Sequence, residues 1–281
     1  MTSMDEFQVL ITGSTDGIGK QTAIELAKRG AHVIIHARNY AKGSQIVDEI
    51  KKQTVNDKID LVIADFTSLK QVHDMNADII KRFDKLDVLI NNAGVYKRKR
   101  EVTEDGFETT FQVNHLSYFL ITLSLLDLVS NSSSIPGRII NVASMAHAQR
   151  IDFDNLQAEK RYDGYNAYSL SKLCNIIFTF ELAERLARQQ DDMPRVTVNC
   201  LHPGVINTKL LRAAFGGGSS VSSGADKLIH LTLDPNVVKI TGKFFVNKRV
   251  ANPARIVYNA DIRKKIWDLS EQFTQIALKN R

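Results

Sequence analysis

The stretch that decides the fold is "VLITGSTDGIGK", residues Val9 to Lys20, in which an apolar run is followed by three glycines within seven positions. The apolar run is typical of a buried strand, and the residues after the glycines have the apolar spacing of a helix. A tight turn between the two would direct free N–H groups and the positive end of the helix dipole toward a pyrophosphate. A β-carbon at Gly13, Gly17 or Gly19 would obstruct that ligand. An ordinary glycine-rich connection remains the alternative, because the spacing G-x-x-x-G-x-G differs from the commoner dinucleotide fingerprint.

Short apolar runs alternate with amphipathic stretches along the rest of the chain. This alternation is typical of a doubly wound parallel sheet, an α/β fold with helices on both faces. We expect one domain spanning residues 1–281, because 281 residues with 43% hydrophobic content fit one large core. The expected strands number about seven and are "FQVLIT", "HVIIHA", "IDLVIA", "LDVLINNA", "RIINVAS", "VTVNCL" and "GKFFVN".

The charge and cysteine content limit which ligands and which cellular compartment fit the sequence, but they do not identify the function. Lys and Arg together number 37 against 31 Asp and Glu, a net charge of +6 that suits a phosphate-bearing ligand or a nucleic acid. The basic run at Lys97 to Arg100 is more typical of a solvated loop, so we expect no nucleic-acid partner. Two cysteines in apolar stretches indicate a reducing compartment. With no signal peptide or apolar spanning segment in the sequence, we expect a soluble, cytoplasmic protein.

The end of the second expected strand, "HAR", bears on coenzyme choice. A ribose 2′-hydroxyl usually meets an Asp or Glu about twenty residues after the glycines. Ala37 stands where that carboxylate is expected, and Arg38 follows with a guanidinium suited to a 2′-phosphate. The pattern favours NADP(H) over NAD(H), with an exposed loop arginine as the alternative.

The candidate catalytic residues come later in the chain. Tyr168 and Lys172 lie one helical turn apart in "YNAYSLSKLCNIIFTFELAERL". A lysine charge close to a phenol lowers its pKa from about 10 and makes it a usable acid or base. Ser144 ends the strand "INVAS" at the edge of the sheet where ligands bind in such folds, and its hydroxyl can hold a substrate oxygen.

Together these motifs resemble the short-chain dehydrogenase/reductase family over nearly the whole chain. The matching motifs, in family order, are TGxxxGIG at Thr12–Gly19, NNAG at Asn91–Gly94, Asn114, Ser144, YxxxK at Tyr168–Lys172 and PGxxxT at Pro203–Thr208. The resemblance implies a Rossmann-type fold, with Tyr168 as proton donor and Lys172 as the residue that binds the nicotinamide ribose. It also implies that Ser144 orients the carbonyl and that Asn114 holds a water in a proton relay.

The resemblance implies a coenzyme contact for each segment of the site. Asp65 would lie near the adenine, Asn92, Ala93 and Gly94 along the adenosine ribose, and Pro203, Val205 and Thr208 against the nicotinamide. The remaining expected coenzyme-binding residues are Gly13, Ser14, Thr15, Asp16, Gly17, Ile18, Gly19, Arg38, Phe66, Tyr168 and Lys172.

Within the family the chain looks most like the retinol dehydrogenase branch. "VNHLSYFLIT", "LHPGVINTKL" and the late "KKIWDLSEQF" carry this likeness. Ser117 and Tyr118 depart from it, since that branch usually has Gly and His there. The branch's N-terminal membrane anchor is also missing from this sequence. The expected substrate is a small, apolar carbonyl compound or alcohol, and a catalytically silent nucleotide-sensing or scaffold protein is the alternative function.

Three further expectations concern the loops and the assembly. The segment of about 207–230 is expected to be a substrate lid, with an ordinary surface loop as the alternative. Met145 to Ala167 should form an extra loop beside the site and partly cover a helix that relatives use for pairing, so we expect a monomer or homodimer. No metal is expected, because His115 and His202 lack ligand spacing.

Overall fold

The computed structural model describes residues 4–133, 136–188, 195–207 and 218–279, and a single sheet runs through them. The sheet has eight strands in these ranges, in the order β3-β2-β1-β4-β5-β6-β7-β8. All neighbours are parallel except the pair β7 and β8. The strands are β1 Gln8–Ile11, β2 His32–Ala37, β3 Ile59–Ile63, β4 Val88–Asn91, β5 Gly137–Val142, β6 Val196–His202, β7 Lys243–Val246 and β8 Arg249–Ala251.

Helices connect the strands, and several begin at a side-chain cap. Asp16, Asn39, Ser68, Asp163 and Ser220 each accept a hydrogen bond from a backbone N–H of the helix that follows. The helices are α1 Gly17–Ala27, α2 Tyr40–Thr54, α3 Leu69–Arg82, α4 Thr109–Phe111, α5 Ser117–Ser124, α6 Leu126–Ser130, α7 Gly164–Ala187, α8 Val221–Leu233 and α9 Ala260–Lys279. Between α4 and α5 the chain forms a π-helical turn, Gln112–Leu116.

The core has two layers, one on each face of the sheet, because successive strand residues point to opposite faces. Leu10, Ile34 and Leu89 pack in the layer that contains α3, α5 and α7. Ile11 and Ile35, the next residues on two of these strands, pack in the layer that contains α1, α2 and α8. This arrangement confirms the expected doubly wound α/β fold.

The eighth strand is the feature that the sequence did not predict. β8 is three residues long and pairs with β7 through a tight turn at Asn247 and Lys248, whose φ values are 49° and 65°. Positive φ at both central residues is typical of a type I′ hairpin turn, which glycine usually marks. Lysine at the second position hides that signal.

The strand order reverses between β1 and β4, so the crevice at their carboxyl ends is the expected ligand site of such a sheet. Part of the expected lid, residues 208–217, lies outside the described residues. The rest forms a short segment and α8, which packs against α1. The ends of the gap are joined, since Asn207 N donates to the Ser219 carbonyl and Ser219 N to that of Val205. Within the described ranges, no helix has both the length and the apolar character needed to cross a bilayer.

Candidate active site

A cleft of about 830 Å³ opens at the carboxyl ends of the strands, across the β1–β4 switch point. It brings together most of the residues that the sequence singled out. Those that line it are Gly13, Thr15, Asp16, Gly17, Ile18, Arg38, Asp65, Phe66, Asn92, Ala93, Gly94, Ser144, Tyr168, Lys172, Pro203 and Val205. Ser14, Gly19 and Asn114 are buried behind the cleft wall. Thr208 lies outside the described residues.

The glycines of the turn after β1 also make room for neighbouring residues of the chain. Gly13 has φ +65°, and a β-carbon there would lie 2.8 Å from the Cα of Ala93. A β-carbon on Gly19 would lie 2.5 Å from the side-chain nitrogen of Asn92. Gly17 lines the cleft with φ 54°. Two of the three glycines therefore allow close approach of the loop that follows β4, and this explanation adds to the one expected from the sequence.

Buried polar contacts join the glycine turn to the strands on both sides. The Thr12 hydroxyl accepts from the backbone N–H of Asn92 at 2.8 Å and of Ala93 at 3.0 Å. The Ser14 hydroxyl donates to the Ile11 carbonyl at 2.8 Å and accepts from His36 N at 3.0 Å. Ser14 therefore stabilises the turn from behind.

His36 links three segments of the cleft, and no motif or spacing in the sequence singles it out. Its Nδ1 accepts from Gly13 N at 2.9 Å, and its Nε2 donates to the Ala64 carbonyl at 3.0 Å. Its ring stacks on Phe66 with the centroids 4.3 Å apart. Burial lowers the pKa of His36 to about 4, so the ring is neutral at physiological pH and keeps its acceptor nitrogen.

The end of β2 supplies two cations to the cleft. Arg38 is exposed and lines the cleft, as does Lys42 in the first turn of α2. The Asn39 side chain accepts from Lys42 N and so fixes where the helix begins. Lys42 was not predicted, although its position in a helix that starts right after Arg38 is a usable signal.

Ser144, Tyr168 and Lys172 meet at the other end of the cleft. Tyr168 is 7% exposed and Lys172 is 2% exposed. The Ser144 hydroxyl hydrogen-bonds to Tyr168, and Lys172 Nζ donates to the Val142 carbonyl at 2.9 Å. Burial lowers the pKa of Lys172 to about 7.

The pKa of Tyr168 differs from the sequence-based expectation. Burial raises it to about 12, and the hydrogen bond from Ser144 opposes this rise. Lys172 Nζ lies 5.7 Å from the centre of the Tyr168 ring, and burial disfavours the charge of this lysine. In the chain alone Tyr168 is thus a protonated phenol at neutral pH.

His147 holds the segment that carries Ser144. Its Nδ1 donates to the Ser144 carbonyl at 2.7 Å, and its Nε2 accepts from Ala254 N at 3.1 Å. The ring thus joins the end of β5 to the segment before α9. Sequence reasoning missed this residue because the partner at Ala254 is far away in the chain.

Asn114 joins the loop after β4 to α7. Its Oδ1 accepts from Val95 N at 2.8 Å, and its Nδ2 donates to the Val95 carbonyl and to the Ser171 hydroxyl, both at 3.0 Å. The Asn114 carbonyl accepts from the side chain of Asn175 at 2.9 Å. The side chain therefore holds the loop after β4 against α7, and the water-holding role that the resemblance implies for Asn114 stays a prediction.

A doubly wound sheet with this cleft at its switch point defines a Rossmann-type dinucleotide-binding protein. The model of the short chain dehydrogenase family matches residues 8–216, and the chain belongs to this family of oxidoreductases. Retinol dehydrogenase 13 of Homo sapiens is similar to it, with 38% identity over 277 residues that cover 92% of this chain and 82% of that protein. The expected likeness to the retinol dehydrogenase branch is thereby confirmed.

Solved structures agree with the fold. A protein from Mycobacterium paratuberculosis superposes with a TM-score of 0.78 at 30% identity, covering 97% of this chain and 95% of that one. A short chain dehydrogenase from Shigella flexneri, solved in complex with NADP, superposes with a TM-score of 0.67. It is 23% identical, and the match covers 86% of this chain and 97% of that chain.

Proposed function

We propose that the chain is an NADP(H)-dependent oxidoreductase that interconverts an alcohol and an aldehyde or ketone, with Tyr168 as general acid and base. The observation that carries the proposal is the composition of the cleft. A glycine turn with two cations occupies one end, and Ser144, Tyr168 and Lys172 occupy the other. A dinucleotide with its reactive ring beside a phenol and a hydroxyl fits this arrangement.

NADP(H) fits the residues of the cleft. The turn from Gly13 to Ile18 would hold the diphosphate, because it carries backbone N–H groups at the start of α1. Arg38 and Lys42 would meet the 2′-phosphate with charge-assisted hydrogen bonds. The other coenzyme-binding residues would be Asp65 and Phe66 at the adenine, Asn92, Ala93 and Gly94 along the ribose, and Pro203, Val205 and Thr208 at the nicotinamide. When bound, the coenzyme supplies or accepts the hydride.

The chain's own residues would handle the oxygen and its proton. Ser144 holds the substrate oxygen by a hydrogen bond, and the neighbouring Tyr168 hydroxyl donates its proton to that oxygen as the carbonyl is reduced. A pKa of about 12 keeps Tyr168 protonated at neutral pH, which suits reduction. Lys172 would hold the ribose of the nicotinamide half, and Asn114 holds the loop at Val95 against α7.

The substrate would be apolar. Met145, Tyr165 and Val205 line the cleft, and 53%, 45% and 54% of their surfaces are exposed. Val95 and Ile206 extend this apolar lining. This apolar lining favours a substrate that is mostly hydrocarbon and carries a single oxygen at the reacting end. The name of retinol dehydrogenase 13, which specifies an alcohol substrate, is in keeping with this class.

The experiment is an assay of aldehydes, ketones, retinoids and steroids with NADPH and with NADH. We expect NADPH-dependent reduction of apolar carbonyl compounds, lost in Tyr168→Phe. Tyr258→Phe makes the same chemical change at an exposed site and should keep full activity. NADPH binding without turnover on any member of the panel would favour the nucleotide-sensing alternative.

A further inference from the structure

Tyr118 is a completely buried tyrosine in α5 that contacts both halves of the candidate site. Its hydroxyl donates to the Ala93 carbonyl at 2.7 Å. The centre of its ring lies 5.7 Å from Lys172 Nζ. Ala93 and Lys172 both line the cleft, whereas Tyr118 lies behind them.

The contact with Ala93 fixes a loop on which the glycine turn depends. A buried hydroxyl is costly unless it is hydrogen-bonded, so Tyr118 and the Ala93 carbonyl satisfy each other. The Cα of Ala93 is the atom that a β-carbon on Gly13 would meet at 2.8 Å. Ala93 thus lies between Tyr118 and Gly13, and a displacement of Ala93 would also displace Gly13.

The contact with Lys172 concerns a buried charge. The titratable groups that face Lys172 within the described residues are Tyr168 on the same helix and Tyr118 on α5, each ring centre 5.7 Å away. β5 contributes the Val142 carbonyl, which accepts from Lys172 Nζ. None of the ion pairs among the described residues involves this lysine. An aromatic face at this distance stabilises an ammonium ion, and more strongly when water is excluded.

We propose that Tyr118 is a positioning residue of the active site. Its hydroxyl holds the loop after β4 in place at Ala93, and its ring stabilises the ammonium form of Lys172. The inference rests on the proposed function, because it assumes that Lys172 binds the coenzyme ribose. The two contacts use different parts of one side chain, so substitutions can separate them.

The test is a titration of NADPH binding by coenzyme fluorescence between pH 6 and pH 9. Tyr118→Phe removes the hydroxyl and keeps the ring, so the dissociation constant should rise about three- to tenfold with its pH midpoint unchanged. Tyr118→Leu also removes the ring. Because the ring favours the charged form, its loss should lower the pKa of Lys172 and move the midpoint down by about half to one pH unit. Tyr118→Met serves for the same purpose if the leucine variant does not fold.

Phe119→Leu is the matched control, since Phe119 is the next buried aromatic residue of α5 and packs on Phe178 and Trp267 instead. It should lower the melting temperature and leave NADPH binding unchanged. Lys172→Met should abolish the pH dependence of binding. If it does so while both Tyr118 variants behave like Phe119→Leu, the inference on Tyr118 is overturned. Retention of the pH dependence by Lys172→Met would also overturn the inference, because the pH dependence would then not report on Lys172. If wild type does not bind NADPH, the proposed function fails instead.

Discussion

Among single residues, Arg38 and Lys42 are those on which the proposed preference for NADPH depends. A 2′-phosphate brings about two negative charges, and each lost charged contact costs about 1.5–3 kcal/mol. Arg38→Ala should therefore raise the KM for NADPH about ten- to a hundredfold and leave the KM for NADH nearly unchanged. Steady-state kinetics with both coenzymes measure this.

Lys42→Ala should act in the same direction, and the double variant should favour NADH. Arg29→Ala removes an exposed arginine whose partner is Glu25, so it controls for net charge. Equal weakening of both coenzymes by Arg38→Ala would mean that Arg38 is an ordinary surface arginine.

Lys172 makes the stability of the free chain depend on pH. Its pKa is lowered by burial from 10.5 to about 7, so the unfolded chain binds this proton more tightly than the folded chain. The lysine's contribution to the free energy of unfolding therefore rises as the pH increases from about 7 toward 10.5. Lys172→Met lacks this rise.

We expect Lys172→Met to melt at a higher temperature than wild type at pH 6, with the difference shrinking toward pH 9. Melting curves at several pH values, recorded without coenzyme, measure it. A difference that is constant across this range would contradict the buried-ammonium account.

Site residues that lie within short motifs were predictable, and those that act across elements were not. Tyr168 and Lys172 share one helical turn, and Gly13 and Gly17 share one turn after a strand, so spacing alone identifies them. His36, Tyr118 and His147 act through partners at Ala64, Ala93 and Ala254, and no local spacing encodes such contacts. The prediction that the pKa of Tyr168 is lowered was wrong in direction. Burial raises this pKa, and burial does not show in the sequence.

At the scale of elements, the strands β1 to β7 were predictable because each is a mostly apolar run, as expected of a sheet with helices on both faces. β8 was missed because it has only three residues, of which Arg249 and Val250 are exposed, and because its turn has no glycine. The helix that carries Tyr168 was predictable from its apolar spacing. The π-helical turn at Gln112–Leu116 was not, although it carries Asn114.

Trp267 packs α9 against α5 and α7. Trp267 is 8% exposed and lies 5.1 Å from Phe119 and 5.9 Å from Phe178, measured between ring centres. The Arg185 guanidinium covers its ring at 3.9 Å. Trp267→Ala should lower the free energy of unfolding by about 3–5 kcal/mol, because it leaves a large cavity.

Urea unfolding measures that loss, and NADPH binding should persist in the folded variant because Trp267 does not line the cleft. Lys264→Ala, an exposed change on the same helix, should shift the stability by less than about 0.5 kcal/mol. An equal effect of the two substitutions would mean that α9 is not docked as described.

At the scale of the whole molecule, α9 covers part of α7. Arg263 pairs with Glu181 at 3.2 Å and with Glu184, and Trp267 covers Phe178. The sequence assigned this covering to the loop of Met145 to Ala167. That segment does form a loop up to the start of α7, with Met145 and Ala146 on the cleft. It also contacts α7, since Ala148 N donates to the Ser169 carbonyl at 3.0 Å, so the loop and α9 both cover part of this helix.

A covered α7 leaves less surface for pairing, so we expect a monomer or a homodimer in solution. Light scattering coupled to size exclusion gives the mass directly, against 31.5 kDa for one chain. A stable tetramer would contradict the expectation.

The proposed function requires that one cleft binds NADPH and that Tyr168 in this cleft supplies the proton for reduction. The most direct test is deuteride transfer from C4-deuterated NADPH to an apolar aldehyde, measured for wild type and Tyr168→Phe at equal coenzyme occupancy. We predict that wild type delivers the deuterium to the carbonyl carbon. Tyr168→Phe should bind NADPH equally well and transfer about 100-fold more slowly or worse, because the ring stays and the proton is gone. Transfer at the wild-type rate by Tyr168→Phe would contradict the account.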